Sequence, residues 1–94
     1  MQDDEFEWDN AKAHSNKAKH GIAFDIAIEA LRDPSSVSWF DDRYDYGEDR
    51  FSLIGRVRGK HVYVAYIIRG ERTRIIMARR AKPYERRIYD RANQ

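Results

Sequence analysis

Cysteine is absent from this 94-residue chain, which excludes disulfides and thiolate metal sites. Long hydrophobic runs are missing too, and no segment approaches the roughly 20 apolar residues that a bilayer-spanning helix needs. Proline occurs twice and glycine five times, and no linker, repeat or low-complexity tract interrupts the chain. The start is acidic (Asp3, Asp4, Glu5), the reverse of a secretory or mitochondrial leader. These absences predict a cytoplasmic protein of one domain, residues 1–94, in which residues 1–5 are flexible. No metal, cofactor or membrane partner is expected. A chain of this size buries roughly 60–65% of its unfolded surface, enough for one modest core.

Charge is abundant and unevenly placed. Residues 1–50 carry 13 acidic and 6 basic side chains, whereas residues 51–94 carry 3 acidic and 12 basic ones, ten of them arginine. Arginine forks match phosphate geometry bidentately and lysine does not. Two readings follow. The acidic half folds over the basic half and neutralises it, or the basic half faces RNA, DNA or an acidic partner.

Phe6 and Trp8 alternate with Glu7 and Asp9 as in a short edge strand. Asp9 or Asn10 caps a helix that runs to Gly21, with Lys17, Lys19 and His20 in its last turn, where cations complement the helix dipole. Phe24, Ala27, Ile28 and Leu31 form the apolar stripe of a second helix, ended by Asp33-Pro34. Residues 35–40 alternate as a strand, and residues 41–50 form a charged loop holding Arg43, Glu48 and Arg50. Residues 51–57 and 61–68 make a hairpin around Arg58-Gly59-Lys60. The second of these strands is apolar on both faces, which marks it as central and doubly covered.

Residues 73–91 combine a β-branched run, the pair Arg79-Arg80 and a helix opening at Pro83. Strict alternation puts Ile75, Met77 and Arg79 on one face and Arg74, Ile76, Ala78 and Arg80 on the other. Tyr84 and Ile88 are expected to dock the last helix, with Arg86, Arg87 and Arg91 pointing outward. The order predicts an α+β two-layer fold. An antiparallel sheet of three to five strands carries two N-terminal helices and one C-terminal helix on one face, and the other face is partly open.

Three spaced motifs resemble one family. They are Phe6-Glu7-Trp8-Asp9 with Lys12, Asn16, Lys19-His20-Gly21-Ile22 and Phe24; Asp42-Arg43 with Tyr46-Gly47-Glu48, Arg50-Phe51 and Gly55; and Arg74-Ile75-Ile76 with Ala78-Arg79-Arg80-Ala81, Glu85-Arg86 and Tyr89. In this order they resemble the BrnT family, over about residues 6–89. The resemblance implies a RelE-like fold and a toxin of a type II toxin–antitoxin pair that cleaves RNA without a metal. It also implies a BrnA-like antitoxin of the ribbon-helix-helix kind, through which alone the toxin meets operator DNA. Two positions depart from the pattern. Met77 stands where many members have serine, and Lys82 where many have the serine or threonine that would cap the last helix.

Metal-free cleavage by a neighbouring 2′-OH needs a base, an acid and cations on the phosphoryl oxygens. The candidates for this chemistry are His20, Glu48, Arg79 and Arg80, with Lys19, Arg50, Arg74, Arg86 and Tyr89 as RNA contacts. Imidazole titrates near neutrality, which favours His20. The bland reading makes it a helix-end cation. His14 and His61 are weaker candidates, the latter expected to be exposed after its turn. Glu85 reads as a first-turn dipole partner or the mate of an arginine. Tyr89 reads as a base-stacking ring or a sheet-packing one. Alternation gives Arg79 and Arg80 different jobs. The rival classes are a non-catalytic basic binding module and a toxin inactivated by Met77.

Overall fold

The computed structural model describes residues 1–42 and 47–94. Arg43 and Tyr46 of the charged loop lie outside the described residues. The element order is β1 (Phe6–Glu7), α1 (Asn10–His20), α2 (Phe24–Leu31), β2 (Val37–Asp41), β3 (Arg50–Val57), β4 (Lys60–Arg69), β5 (Arg72–Arg80) and α3 (Pro83–Ala92). The chain is α+β, as the sequence predicts. The amino terminus is tied back, because the Met1 ammonium donates to the Trp8 carbonyl at 2.9 Å.

Local signals set the ends of α1. The Asp9 carboxylate accepts the amides of Ala11 and Lys12 at 2.8 and 3.1 Å. Gly21 closes the helix at φ 73°, its N–H donating to the Lys17 carbonyl at 2.8 Å. A residue with a Cβ pays a steric penalty at that φ, and glycine does not.

The sheet runs β1-β5-β4-β3-β2. Strands β2 to β5 form the expected antiparallel meander. β1 instead joins β5 in parallel, pairing Phe6 with Thr73 and Glu7 with Arg74, so the sheet is mixed. Beyond this two-residue strand, α1 covers the rest of the β5 edge, and its Asn16 takes over the pairing. The Asn16 amide donates to the carbonyls of Ala78 (2.8 Å) and Ile22 (2.9 Å), and its oxygen accepts the Ala78 amide at 3.2 Å. One side chain thus does for Ala78 what a neighbouring strand would do.

Helices lie on both faces of the sheet rather than on one. Phe6, Phe24, Ala27, Leu53, Val64 and Ile75 pack together beneath α1 and α2. Ile54, Tyr63, Ala65 and Tyr89 form a second, smaller cluster beneath α3. The reason is β4, whose apolar residues point both ways and need cover on each side. The α3 residues that dock are Glu85 and Tyr89, both buried, whereas the expected pair Tyr84 and Ile88 is exposed.

A register shift opposite Ala65 and Tyr66 breaks the alternation expected of β5. Ala65 pairs with Met77 and Tyr66 with Ile75, which leaves Ile76 unpaired. Ile75 and Ala78 therefore face α1 and α2, while Ile76 and Met77 face the other way. One extra residue in a ladder has this effect because side-chain direction has a period of two.

The α2–β3 contact depends on a glycine for space rather than for φ. A Cβ on Gly55 would lie 2.3 Å from the Ala30 carbonyl oxygen and 2.8 Å from its carbon, both backbone atoms that cannot rotate aside. Gly55→Ala is expected to cost about 1–3 kcal/mol by overpacking. Urea unfolding measures it, and a wild-type midpoint would show that α2 sits more loosely than described.

Candidate active site and nucleic-acid interface

The arginine pair at the end of β5 splits. Arg79 pairs with Tyr63 and shares its face, with the guanidinium 4.1 Å from that ring's centroid. It donates to both oxygens of Glu85, at 2.8 and 3.0 Å. The side chains are 17% and 2% exposed, so the pair is largely out of water. Glu85 also accepts the Lys82 amide at 2.8 Å. It thereby supplies the N-terminal cap that Lys82 cannot, since an ammonium has no acceptor. Burial by itself would push the Glu85 carboxyl up, but Arg79 and the Lys82 amide outweigh it and hold the group below its usual range.

Arg80 points the other way and is exposed. It lines a cavity of about 280 Å³ together with His20 at the end of α1, Arg58 and Lys60 around the β3–β4 turn, and an apolar wall that includes Ile26 and Val57. His20 lies at a junction, because it also lines a second cavity of about 210 Å³ with Lys12, Lys19, Ile76 and Met77. Lys12 and Ile76 in turn border a third, of about 230 Å³, lined by Glu48, Arg50, Ile67, Arg69 and Arg74. The second and third cavities adjoin at Lys12 and Ile76, and the furrow they make beside β5 is lined by Lys12, Lys19, Arg50, Arg69 and Arg74. The Met77 side chain lines this furrow beside His20.

The charges of the furrow are partly balanced. Glu48 accepts from Arg69 at 2.9 and 3.1 Å, and this bond holds the Glu48 carboxyl below its ordinary range. Arg74 donates to Glu7 at 2.7 Å in a half-buried pair.

The remaining candidates lie elsewhere. Arg86 is exposed on α3. Tyr89 packs on the sheet, 6% exposed, and its hydroxyl donates to Asp33 at 2.8 Å. His61 is not exposed as expected: it stands edge-on to Tyr89 at 5.1 Å, with Nε2 2.9 Å from the Asp90 carboxylate. His14 borders a separate cavity with Trp8 and Lys17. Sequence reasoning passed over Lys12, Arg58, Lys60 and Arg69. The strand register held the signal for two of them, because Val57 opposite Lys60 and Val62 opposite Arg80 bring the hairpin turn to the end of β5.

The family model described as "Ribonuclease toxin, BrnT, of type II toxin-antitoxin system" matches residues 8–85, most of the chain. The chain belongs to the BrnT toxin family. The match includes both walls of the furrow and the arginine pair, and it stops at Glu85, before Arg86 and Tyr89. BrnT membership makes this a toxin of a type II system, in a family of ribonucleases, and implies an RNA target and an antitoxin partner. No curated protein sequence matches the chain. Among the described residues, no helix is long and apolar enough to cross a membrane.

Proposed function

We propose that this BrnT chain cleaves RNA where His20 and Arg80 meet, without a metal. The observation that carries the reading is the split of the arginine pair: Arg80 shares a cavity with His20, while Arg79 is held by Glu85 and Tyr63. In the reaction His20 takes the proton of a ribose 2′-OH, whose oxygen attacks the adjacent phosphorus. The bond from phosphorus to the 5′-oxygen breaks, and that oxygen takes a proton from water. The products are a 2′,3′-cyclic phosphate and a 5′-hydroxyl. Arg80 stabilises the charge that builds on the phosphoryl oxygens. The furrow carries the flanking strand along Lys19, Lys12, Arg74, Arg50 and Arg69, as a cationic groove tracks a phosphate backbone. The cations that converge on the furrow and on the cavity beside His20 support a route in which side chains neutralise the phosphoryl charge. Family membership supports the rest of the reading, namely a BrnA-like ribbon-helix-helix antitoxin, operator DNA bound only through it, and a cytoplasmic setting.

The test is incubation of purified protein with RNA in EDTA, with analysis of the ends. Wild-type protein is expected to leave cyclic phosphates. Arg80→Ala lowers the rate about 10²–10³-fold, and His20→Ala about 10²–10⁴-fold, both with unchanged unfolding midpoints. RNA bound but left intact by the wild type would make the chain a binding module. Full activity in both variants would move the site elsewhere.

A further inference from the structure

We propose that the cavity beside Arg80 is a nucleotide subsite for the nucleoside on the 5′ side of the cleaved phosphate. This deepens the ribonuclease reading and rests on it. The cavity has two parts of opposite character. Its floor is Ile22, Ile26, Val57 and Val62, and its rim is His20, Arg58, Lys60 and Arg80. An apolar surface beside three cations, Arg58, Lys60 and Arg80, and an imidazole fits a molecule with a flat apolar body and a phosphate at one end. The cavity volume of about 280 Å³ is close to the lower end of the roughly 300–1,000 Å³ typical of small-molecule pockets.

The charge balance of the rim points the same way. Among the described residues, His20, Lys60 and Arg80 make no ion pair. Arg58 meets Glu29 at 3.2 Å, with side chains 74% and 46% exposed. Such a surface pair is weak and exchanges readily for a phosphate.

The backbone at Arg58 is an independent sign. The β3–β4 turn is the two residues Arg58 and Gly59, at φ 53° and 82°. Turns of this shape favour asparagine or glycine at the first position, since a Cβ is disfavoured there. Arg58 is the one non-glycine residue with positive φ among the described residues, and packing does not explain it, because the side chain is mostly in solvent. Its guanidinium lies at the cavity rim, where Glu29 is its partner.

The probes are the four nucleoside 3′-monophosphates and inorganic phosphate, titrated into the full chain by calorimetry and by amide NMR. At least one nucleotide is expected to bind about tenfold more tightly than phosphate and to shift Ile22, Ile26, Val57 and Val62. Arg58→Gly removes the guanidinium and relieves the turn together. It is expected to keep or raise the unfolding midpoint while weakening nucleotide binding several-fold. Ile26→Ser is expected to reduce nucleotide affinity to that of phosphate. Equal affinity for phosphate and nucleotides, shifts confined to Lys19 and Met77, or an Arg58→Gly variant that binds nucleotides as well as wild type would each overturn the subsite. Loss of the subsite with RNA cleavage intact leaves the ribonuclease reading standing. Nucleotide binding with no cleavage of any RNA keeps the site and removes that reading.

Discussion

Arg79→Met and Glu85→Gln are each expected to lower stability by about 3–5 kcal/mol, because each strands one half of a largely buried ion pair. The pair does three things at once. It satisfies Glu85, which is almost wholly buried. It places Arg79 against the Tyr63 ring. It also lets Glu85 cap α3 through the Lys82 amide. The double variant should recover part of the loss, since no uncompensated charge is then left inside. Urea unfolding of the four proteins gives the coupling directly. Losses below about 1 kcal/mol in both single variants would mean that Arg79 is free for substrate after all. Acid should act in the same direction. The folded Glu85 carboxyl titrates below its ordinary value of 4.5, so its contribution is complete above that pH and disappears as pH falls through the folded value. Asp33 behaves likewise from an ordinary value of 3.8. Burial would raise it, but the amides of Arg56 and Ser35 and the Tyr89 hydroxyl together hold it lower. Glu85→Gln should therefore flatten the acid limb of the stability profile without abolishing it.

Asn16→Ala is the second large effect, expected at about 3 kcal/mol or more, since an unsatisfied buried polar group costs about 1–3 kcal/mol. The substitution strands the carbonyls of Ile22 and Ala78 and the amide of Ala78. The effect reaches function, because Ala78 immediately precedes the arginine pair and Asn16 borders the furrow beside His20. Loosening the β5 edge would let Arg80 and His20 drift apart. Hydrogen exchange at the Ala78 amide is the specific measurement. Protection should fall by orders of magnitude in Asn16→Ala and recover poorly in Asn16→Asp, whose carboxylate still accepts that amide but cannot donate to the two carbonyls. Unchanged protection at Ala78 would show that the side chain is not the edge partner described here.

Most elements were legible because their signals are local. Asp9 and Gly21 frame α1, and Phe24, Ala27 and Leu31 give α2 its helical spacing. Arg58-Gly59 announces a hairpin, and Pro83 opens α3. The motifs around His20 and Arg79-Arg80 sufficed to place the chain in its family. The errors arose where a local rule met a distant neighbour. Alternation along β5 fails at Ile76 because the bulge depends on pairing with β4. The docking face of α3 is rotated by one residue, from Tyr84 and Ile88 to Glu85 and Tyr89. A buried arginine partner and an Asp33 acceptor outweigh simple hydrophobicity there.

The sequence by itself determined the order of elements, the basic second half and the family, since each follows from composition or from residues close in the chain, while it left the strand count between three and five. Only the tertiary structure decided that Glu85 holds Arg79 and not Arg80, that α3 covers the face opposite α1 and α2, and that His20 lines both the cavity beside Arg80 and the one beside Lys12 and Met77. Those outcomes depend on strand register, on a single unpaired residue and on which carboxylate an arginine reaches first. The register contacts join residues far apart in the chain, and a one-residue shift there would send a side chain to the other side of the sheet; the Arg79–Glu85 pair spans only six residues, but it forms only once β5 and α3 are in place.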